Sequence, residues 1–162
     1  MPDFYSLNMI KIRAKVLLVT SLVESPLNRH IIVAIETALK SHFDVELLSA
    51  DSLIQKQNLS GYALLLYVGS SVSEFIPLST MSAMARLADV PSVFWATDDP
   101  YEFDSRYRAN GFDFYLSNDR NAATHFVERD RVYHLPLAAC PSDLRDIVPL
   151  DQRKLGSFFS GY

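Results

Sequence analysis

Two adjacent carboxylates, Asp98 and Asp99, stand at the end of Pro91-Ser-Val-Phe-Trp-Ala-Thr-Asp-Asp-Pro-Tyr-Glu-Phe103, directly after a run of buried-strand composition. Successive strand residues point to opposite sides, so the two carboxylates divide into two jobs. Asp99-Pro100-Tyr101-Glu102 has the pattern of a helix start, with Asp at the N-cap, Pro in the first turn and Glu three residues on. Asp98 has no such structural explanation. A carboxylate at the mouth of a buried strand is costly unless it is solvated or used, and facing a ligand crevice it could orient or deprotonate a hydroxyl. Metal binding by the pair lacks support, because no His or further carboxylate stands nearby at ligand spacing.

Two other strand ends carry groups able to hydrogen-bond a ligand. Gly69-Ser70-Ser71 could hold an anion or a sugar hydroxyl, although a plain turn is the commoner meaning. Asn118-Asp119 follows the fifth strand-like run and lies at the same sheet edge as Asp98 if the strands are parallel. Its competing reading is a helix N-cap for Arg120–Glu128. Elsewhere the chemistry thins out. His30 and His125 fall on helical patterns as surface residues, and His134 lies within a strand as a core residue. No nucleophile-elbow pattern joins Ser, His and Asp. The single cysteine, Cys140, cannot form an internal disulfide, which suits a reducing, cytoplasmic compartment.

These residues need elements to position them, and the chain supplies alternating strands and helices. Lys15–Ser21, Val45–Leu48, Tyr62–Val68, Val93–Ala96, Asp113–Leu116 and Val132–Leu135 read as strands. Between them, Ser25-Pro26 opens a helix with Leu27, Ile31, Ile35, Ala38 and Leu39 on one side. Asp51-Ser52 opens a short turn, Leu78–Ala88 carries Met81, Met84, Ala85 and Ala88 on one side, and Asn121–Glu128 forms a last helix. Strands separated by crossover-length segments imply a parallel sheet, and continuous apolar strands imply that both sheet faces are covered. The expected fold is α/β, a Rossmann-like doubly wound, mostly parallel sheet flanked by helices. The expected organisation is an N-terminal extension (1–14), the Rossmann-like domain (15–140), a polar linker (141–153) and the start of a truncated second domain (154–162).

Composition narrows the partners. In 162 residues the formal charge is −4 without a local basic cluster, which argues against a nucleic-acid partner. No apolar run approaches a bilayer span, and the start Met-Pro-Asp-Phe-Tyr-Ser lacks the pattern of a signal peptide. Ser21–Ser25, after the first strand, contains no glycine, so the loop cannot cradle a pyrophosphate as dinucleotide-binding loops do. A phospho-receiver site is disfavoured because the first strand ends in Thr-Ser-Leu and the third in Gly69, not in acidic residues. No cofactor is expected.

Three segments together resemble the N-terminal half of the spore-maturation (CgeB-like) glycosyltransferases, whose fold is GT-B. They are Pro91–Phe103, Phe114-Tyr-Leu-Ser-Asn-Asp119 and Val132-Tyr-His-Leu-Pro-Leu-Ala-Ala139, and the terminal Gly156-Ser-Phe-Phe-Ser-Gly-Tyr162 is similar to the opening strand of that family's C-terminal domain. The resemblance covers roughly residues 15–162. It implies an acceptor-side domain, with the nucleotide-sugar donor held by a C-terminal domain and an acceptor of unknown identity. It also implies Asp98 as the catalytic carboxylate, with Asp99, Tyr101, Asn118 and Ser70 toward the substrate. A chain of this kind would be inactive alone, and its unpartnered terminal strand leaves room for a homodimer. The alternative is a non-enzymatic binding or interaction module of the same fold.

Overall fold

The structure, a computed structural model, describes residues 13–20, 29–69, 75–97, 111–121, 124 and 129–136. Six strands are present: β1 (Lys15–Thr20), β2 (Asp44–Ser49), β3 (Leu64–Gly69), β4 (Ser92–Ala96), β5 (Phe114–Ser117) and β6 (Val132–His134). Between them lie α1 (Arg29–Lys40), α2 (Ala50–Gln55) and α3 (Phe75–Leu87), with a 3-10 turn at Arg129–Arg131 before β6. The strands form one sheet in the order β2-β1-β3-β4-β5-β6, and every pairing is parallel. This is the Rossmann-like α/β arrangement expected from the pattern of apolar runs.

The central strands explain their own placement. Val16–Thr20 and Leu65–Gly69 are buried without interruption, as strands covered on both faces must be. Alternate residues divide into two layers. Leu17 and Val19, Leu65 and Tyr67, Phe94 and Tyr115 face α2 and α3, where Leu53, Leu78, Met81 and Ala85 close the core. Tyr67, Phe94 and Phe112 pack as tilted rings, with Phe94 5.6 Å from Tyr67 and 5.8 Å from Phe112 between centroids, and Tyr115 meets Phe94 in a T-shaped contact. On the other face, Leu18, Leu66 and Val68 pack against Ile32, Ile35 and Leu39 of α1.

Helix ends are held by local chemistry. Arg13 donates from Nη1 to the carbonyl of Lys40 at 2.8 Å, satisfying one of the free acceptors at the end of α1. Ser49 caps α2 by accepting from the amide of Ser52, so the helix starts one residue before the expected Asp51-Ser52. The helix α3 begins at Phe75, three residues earlier than its apolar spacing suggests, and Met81, Met84, Ala85 and Ala88 do face the core. Beyond α3, Asp89 takes a left-handed φ of 55°, and Gly111 takes one of 87° ahead of β5. The backbone conformation favours glycine there, and a Cβ would also crowd the Arg86 guanidinium at 3.0 Å, making that flexible side chain shift. The Ser25-Pro26 start and all but Asn121 and Thr124 of the helix expected over Asn121–Glu128 lie outside the described residues. His134 is exposed, not a core residue, because it sits on the short outer strand β6.

The outer strand β2 carries a charged residue where an edge needs one. Glu46 receives Lys56 Nζ at 2.5 Å and Lys15 Nζ at 3.1 Å, and it also accepts from the Tyr62 hydroxyl. Both ammonium groups lie over the Tyr62 ring, at 5.4 Å and 4.6 Å from its centroid. The cluster ties β2 to β1, to the end of α2 and to the approach of β3. Hydrogen bonding from Lys56, then from Tyr62 and Lys15, holds the Glu46 carboxyl at about 2 instead of 4.5. A depressed native value means that the stabilisation is whole above about 4.5 and is lost as pH falls toward 2. Urea unfolding followed through this acid range should show a loss of stability that Glu46→Gln flattens. An equal acid slope in both proteins would assign it to other carboxylates.

Candidate functional site

In an all-parallel sheet every strand delivers its last residue to the same edge. Here that edge collects buried hydrogen-bonding groups: Thr20 ends β1, Thr97 follows β4 and Ser117 ends β5, and all three are buried. Burial of a hydroxyl is unfavourable without a partner, so a row of them needs a connected network. The Thr97 amide donates to the Gly69 carbonyl at 3.3 Å, extending the β3–β4 ladder by one residue. Asn118 donates from Nδ2 to the Thr97 carbonyl at 2.8 Å. Asp119 donates from its amide to Ser117 Oγ and accepts from the amide of Asn121 at 3.0 Å, forming an Asx turn.

Asn118 therefore does not cap the segment after β5; Asp119 makes the local turn, and Asn118 reaches across to β4. With its amide nitrogen committed to Thr97, Asn118 Oδ1 is buried and has no hydrogen-bond partner among the described residues. An amide oxygen can accept two hydrogen bonds, and the described residues supply none to this one. The point where the chain reverses direction across the sheet lies between β1 and β3, since β1 leads outward to β2 while β3 leads the other way to β4. Open α/β sheets bind ligands outside the strand ends at such points, and Asn118, after β5, stands two strands beyond this one.

Of the residues singled out in the sequence, the described part contains Asn118. Ser70, Asp98, Asp99 and Tyr101 lie outside the described residues. Their nearest described neighbours, Gly69 and Thr97, sit on adjacent strands at this edge, with Gly69 paired in register with Ala96. The sequence reading missed Thr97 and Ser117. Their signal is a hydroxyl residue at the carboxyl end of an apolar run, last in β5 for Ser117 and directly after β4 for Thr97. Among the described residues no group of His, Cys, Asp and Glu could hold a metal ion, and no helix is long and apolar enough to cross a membrane.

A shallow, open cavity of about 600 Å³ lies at the opposite edge, between Arg86, Asp89, Asp113, Phe114 and Arg131. Its polar groups already have structural duties. Asp113 accepts from the amide and hydroxyl of Ser92 at 2.8 and 2.7 Å, joining the starts of β4 and β5, and Arg86 donates to the Gly111 carbonyl at 3.0 Å. The carboxyl edge, with an acceptor left open, is the better candidate site.

No family model matches the chain, and no curated protein sequence matches it. Two solved structures are similar to it. One, from Burkholderia pseudomallei, has a name relating it to pilus assembly; it is 14% identical, with a TM-score of 0.46 over 65% of this chain and 78% of that one. The other is HepE from Anabaena in complex with UDP, 12% identical, with a TM-score of 0.49 over 77% of this chain. This chain spans 44% of the HepE chain. Likenesses this remote do not bear on function.

The orientation of Asn118 can be checked directly. Asn118→Asp would set a carboxylate oxygen against the Thr97 carbonyl and should cost about 1–3 kcal/mol by chemical denaturation. Asn118→Ala, which loses the bond but also removes the unpartnered oxygen, should cost less. A neutral Asn118→Asp would mean that the amide is turned the other way and that the open group is a donor.

Proposed function

We propose that the chain is the acceptor-side domain of a glycosyltransferase, binding a hydroxyl-rich acceptor at the carboxyl edge of its sheet. The observation that carries the reading is the open acceptor at Asn118 Oδ1, set in a buried polar row directly beside the strand end that leads into Asp98-Asp99-Pro100-Tyr101. A sugar presents hydroxyl donors spaced for such a row. In this scheme Asp98 orients the attacking hydroxyl and takes its proton as general base, Asn118 Oδ1 accepts from a neighbouring hydroxyl, and Ser70 hydrogen-bonds a third. Tyr101 stacks on a sugar face, and Asp99 caps the helix that presents Tyr101 while bordering the substrate.

The donor belongs elsewhere in the scheme. The glycine-free stretch Ser21–Ser25 gives no close backbone approach to a pyrophosphate, so a nucleotide-sugar donor would be held by a second domain across a cleft. The three motif segments that resemble CgeB-like transferases support the same division. The second reading, an interaction module of the same fold, draws on the exposed apolar surface of Phe114 and Tyr133.

Saturation-transfer NMR with a panel of simple glycosides and nucleoside diphosphates tests the assignment on this chain. Glycosides should bind, Asn118→Ala and Asp98→Asn should weaken them, and UDP and GDP should not bind. A nucleoside diphosphate binding in place of every glycoside would sink the acceptor-side role. In a protein containing both domains, Asp98→Asn should depress kcat/KM with stability kept, whereas Asp99→Ala should act through folding, at about 0.5–2 kcal/mol. The roles would be exchanged if Asp98→Asn destabilised strongly and turnover survived.

A further inference from the structure

Asn118 Oδ1 has a counterpart. The indole Nε1 of Trp95 is also buried, and neither atom has a hydrogen-bond partner among the described residues. One is an acceptor and the other a donor. A buried polar atom left without a partner costs stability, so two of opposite kind on neighbouring strands call for an explanation.

Register brings them to one side of the sheet. Trp95 pairs with Leu116 in the β4–β5 ladder and packs against the cluster of Leu18, Leu66 and Val68 on the face that α1 covers. Asn118 stands two residues beyond Leu116, so the alternation of strand residues carries it to the same face. Its amide reaches across to β4, donating to the Thr97 carbonyl two residues past Trp95. Trp95 and Asn118 are therefore diagonal neighbours on adjacent strands, about 8 Å apart at the backbone, a gap that an indole and an amide side chain narrow from both ends. They do not bond each other, since both atoms remain unpaired. One atom held between them at ordinary hydrogen-bond lengths suits a donor and an acceptor about 4–5.5 Å apart.

The chemistry of such a group is restricted. It must accept from the indole N–H and donate to the amide oxygen. A hydroxyl does both through one oxygen. A carboxylate or a fully ionised phosphate has no proton for Asn118, and an ammonium has no lone pair for Trp95. The Thr97 carbonyl takes only the amide nitrogen of Asn118, which leaves the oxygen for this role.

We propose that Trp95 Nε1 and Asn118 Oδ1 form one two-point site for a single hydroxyl of the acceptor, which makes Trp95 a specificity-determining residue. The proposal rests on the acceptor-side reading above and adds the group that completes its Asn118 contact. The hydroxyl is read for its proton and its lone pair together, so neither a deoxy position nor an ether replaces it. Water has the same chemistry and is the competing occupant.

Trp95 is the chain's single tryptophan, so a nitrogen–proton correlation spectrum of the labelled chain contains one indole peak. Methyl glycosides of the common hexoses are titrated first, then the monodeoxy and monodeoxyfluoro analogues of the tightest binder. The parent glycoside should move the indole peak in a saturable way. One deoxy analogue and its fluoro counterpart, which cannot donate, should bind roughly tenfold more weakly or worse, and Asn118→Ala should abolish that gap. The analogues leave the protein unchanged, so this comparison does not depend on a variant's folding. A glycoside that binds by saturation transfer but leaves the indole peak unmoved overturns this proposal and spares the acceptor-side reading. Failure of every glycoside to bind overturns both, and an Asn118-dependent contact between the indole proton and bound water would then identify the pair as a structural water site.

Discussion

The parallel pairing of β1 with both β2 and β3 is the constraint on which the remaining architecture depends. Once the strand Lys15–Thr20 has a parallel neighbour on each side, the chain must leave it in one direction and return past it in the other. The helices then separate onto two faces by handedness, and all strand ends gather at one edge. The edge is polar for the same reason that the sheet is apolar. Residues inside the sheet contact side chains on both faces, but the last residue of each strand meets the turning chain, whose amides and carbonyls need partners. Thr20, Thr97 and Ser117 occupy those places, and Asn118 ties two of the strand ends together.

The core and the two edges of the sheet divide the energetic labour. Burial of Leu17, Leu65, Tyr67, Phe94 and Phe112 supplies the non-directional stabilisation, at about 1.5–3 kcal/mol for each large side chain. Directional chemistry sits at the margins. Glu46 with two lysines and Tyr62 fastens the outer strand, and Asp113 with Ser92 fastens the starts of β4 and β5. In both clusters the charged groups are engaged in joining one element to another, so neither makes a persuasive binding site. The carboxyl edge differs in leaving an acceptor unmet, and an unmet buried acceptor costs stability that a ligand can recover.

The strands were legible in the sequence because apolar runs such as Val-Leu-Leu-Val and Leu-Leu-Leu-Tyr-Val have few other homes in a chain of this composition. Parallel strands were legible too, from their alternation with helical spacing at Ile31, Ile35 and Leu39, although the structure buries Ile32 in place of Ile31 and leaves Ala38 exposed. Helix starts were less so: Ser49 caps α2 through its own hydroxyl, while Asp51 nearby offers an equally plausible pattern of residue types. Asn118 illustrates the limit at the site. Its type and position announced a polar strand end, but whether its side chain turns back as a cap or crosses to Thr97 depends on the neighbouring strand, which no local pattern contains. His134 failed for a related reason, since a strand residue is buried only if a further strand or helix lies beyond it.

That last point also governs how far continuous apolar strands imply two covered faces. The inference holds for β1 and β3, which have described helices on both sides, and weakens outward as the strands shorten to four residues in β5 and three in β6. A shorter outer strand contributes less surface to the core and tolerates partial exposure, so Phe114 and Tyr133 can remain apolar without being enclosed. Charged residues protect a solvent-facing edge better than an aromatic pair does. The edge at β2 takes that protective solution with Glu46, Lys15 and Lys56, and the edge at β6 does not. Among the described residues the two sides of the sheet therefore differ, charge closing the β2 side and an exposed aromatic pair standing on the β6 side.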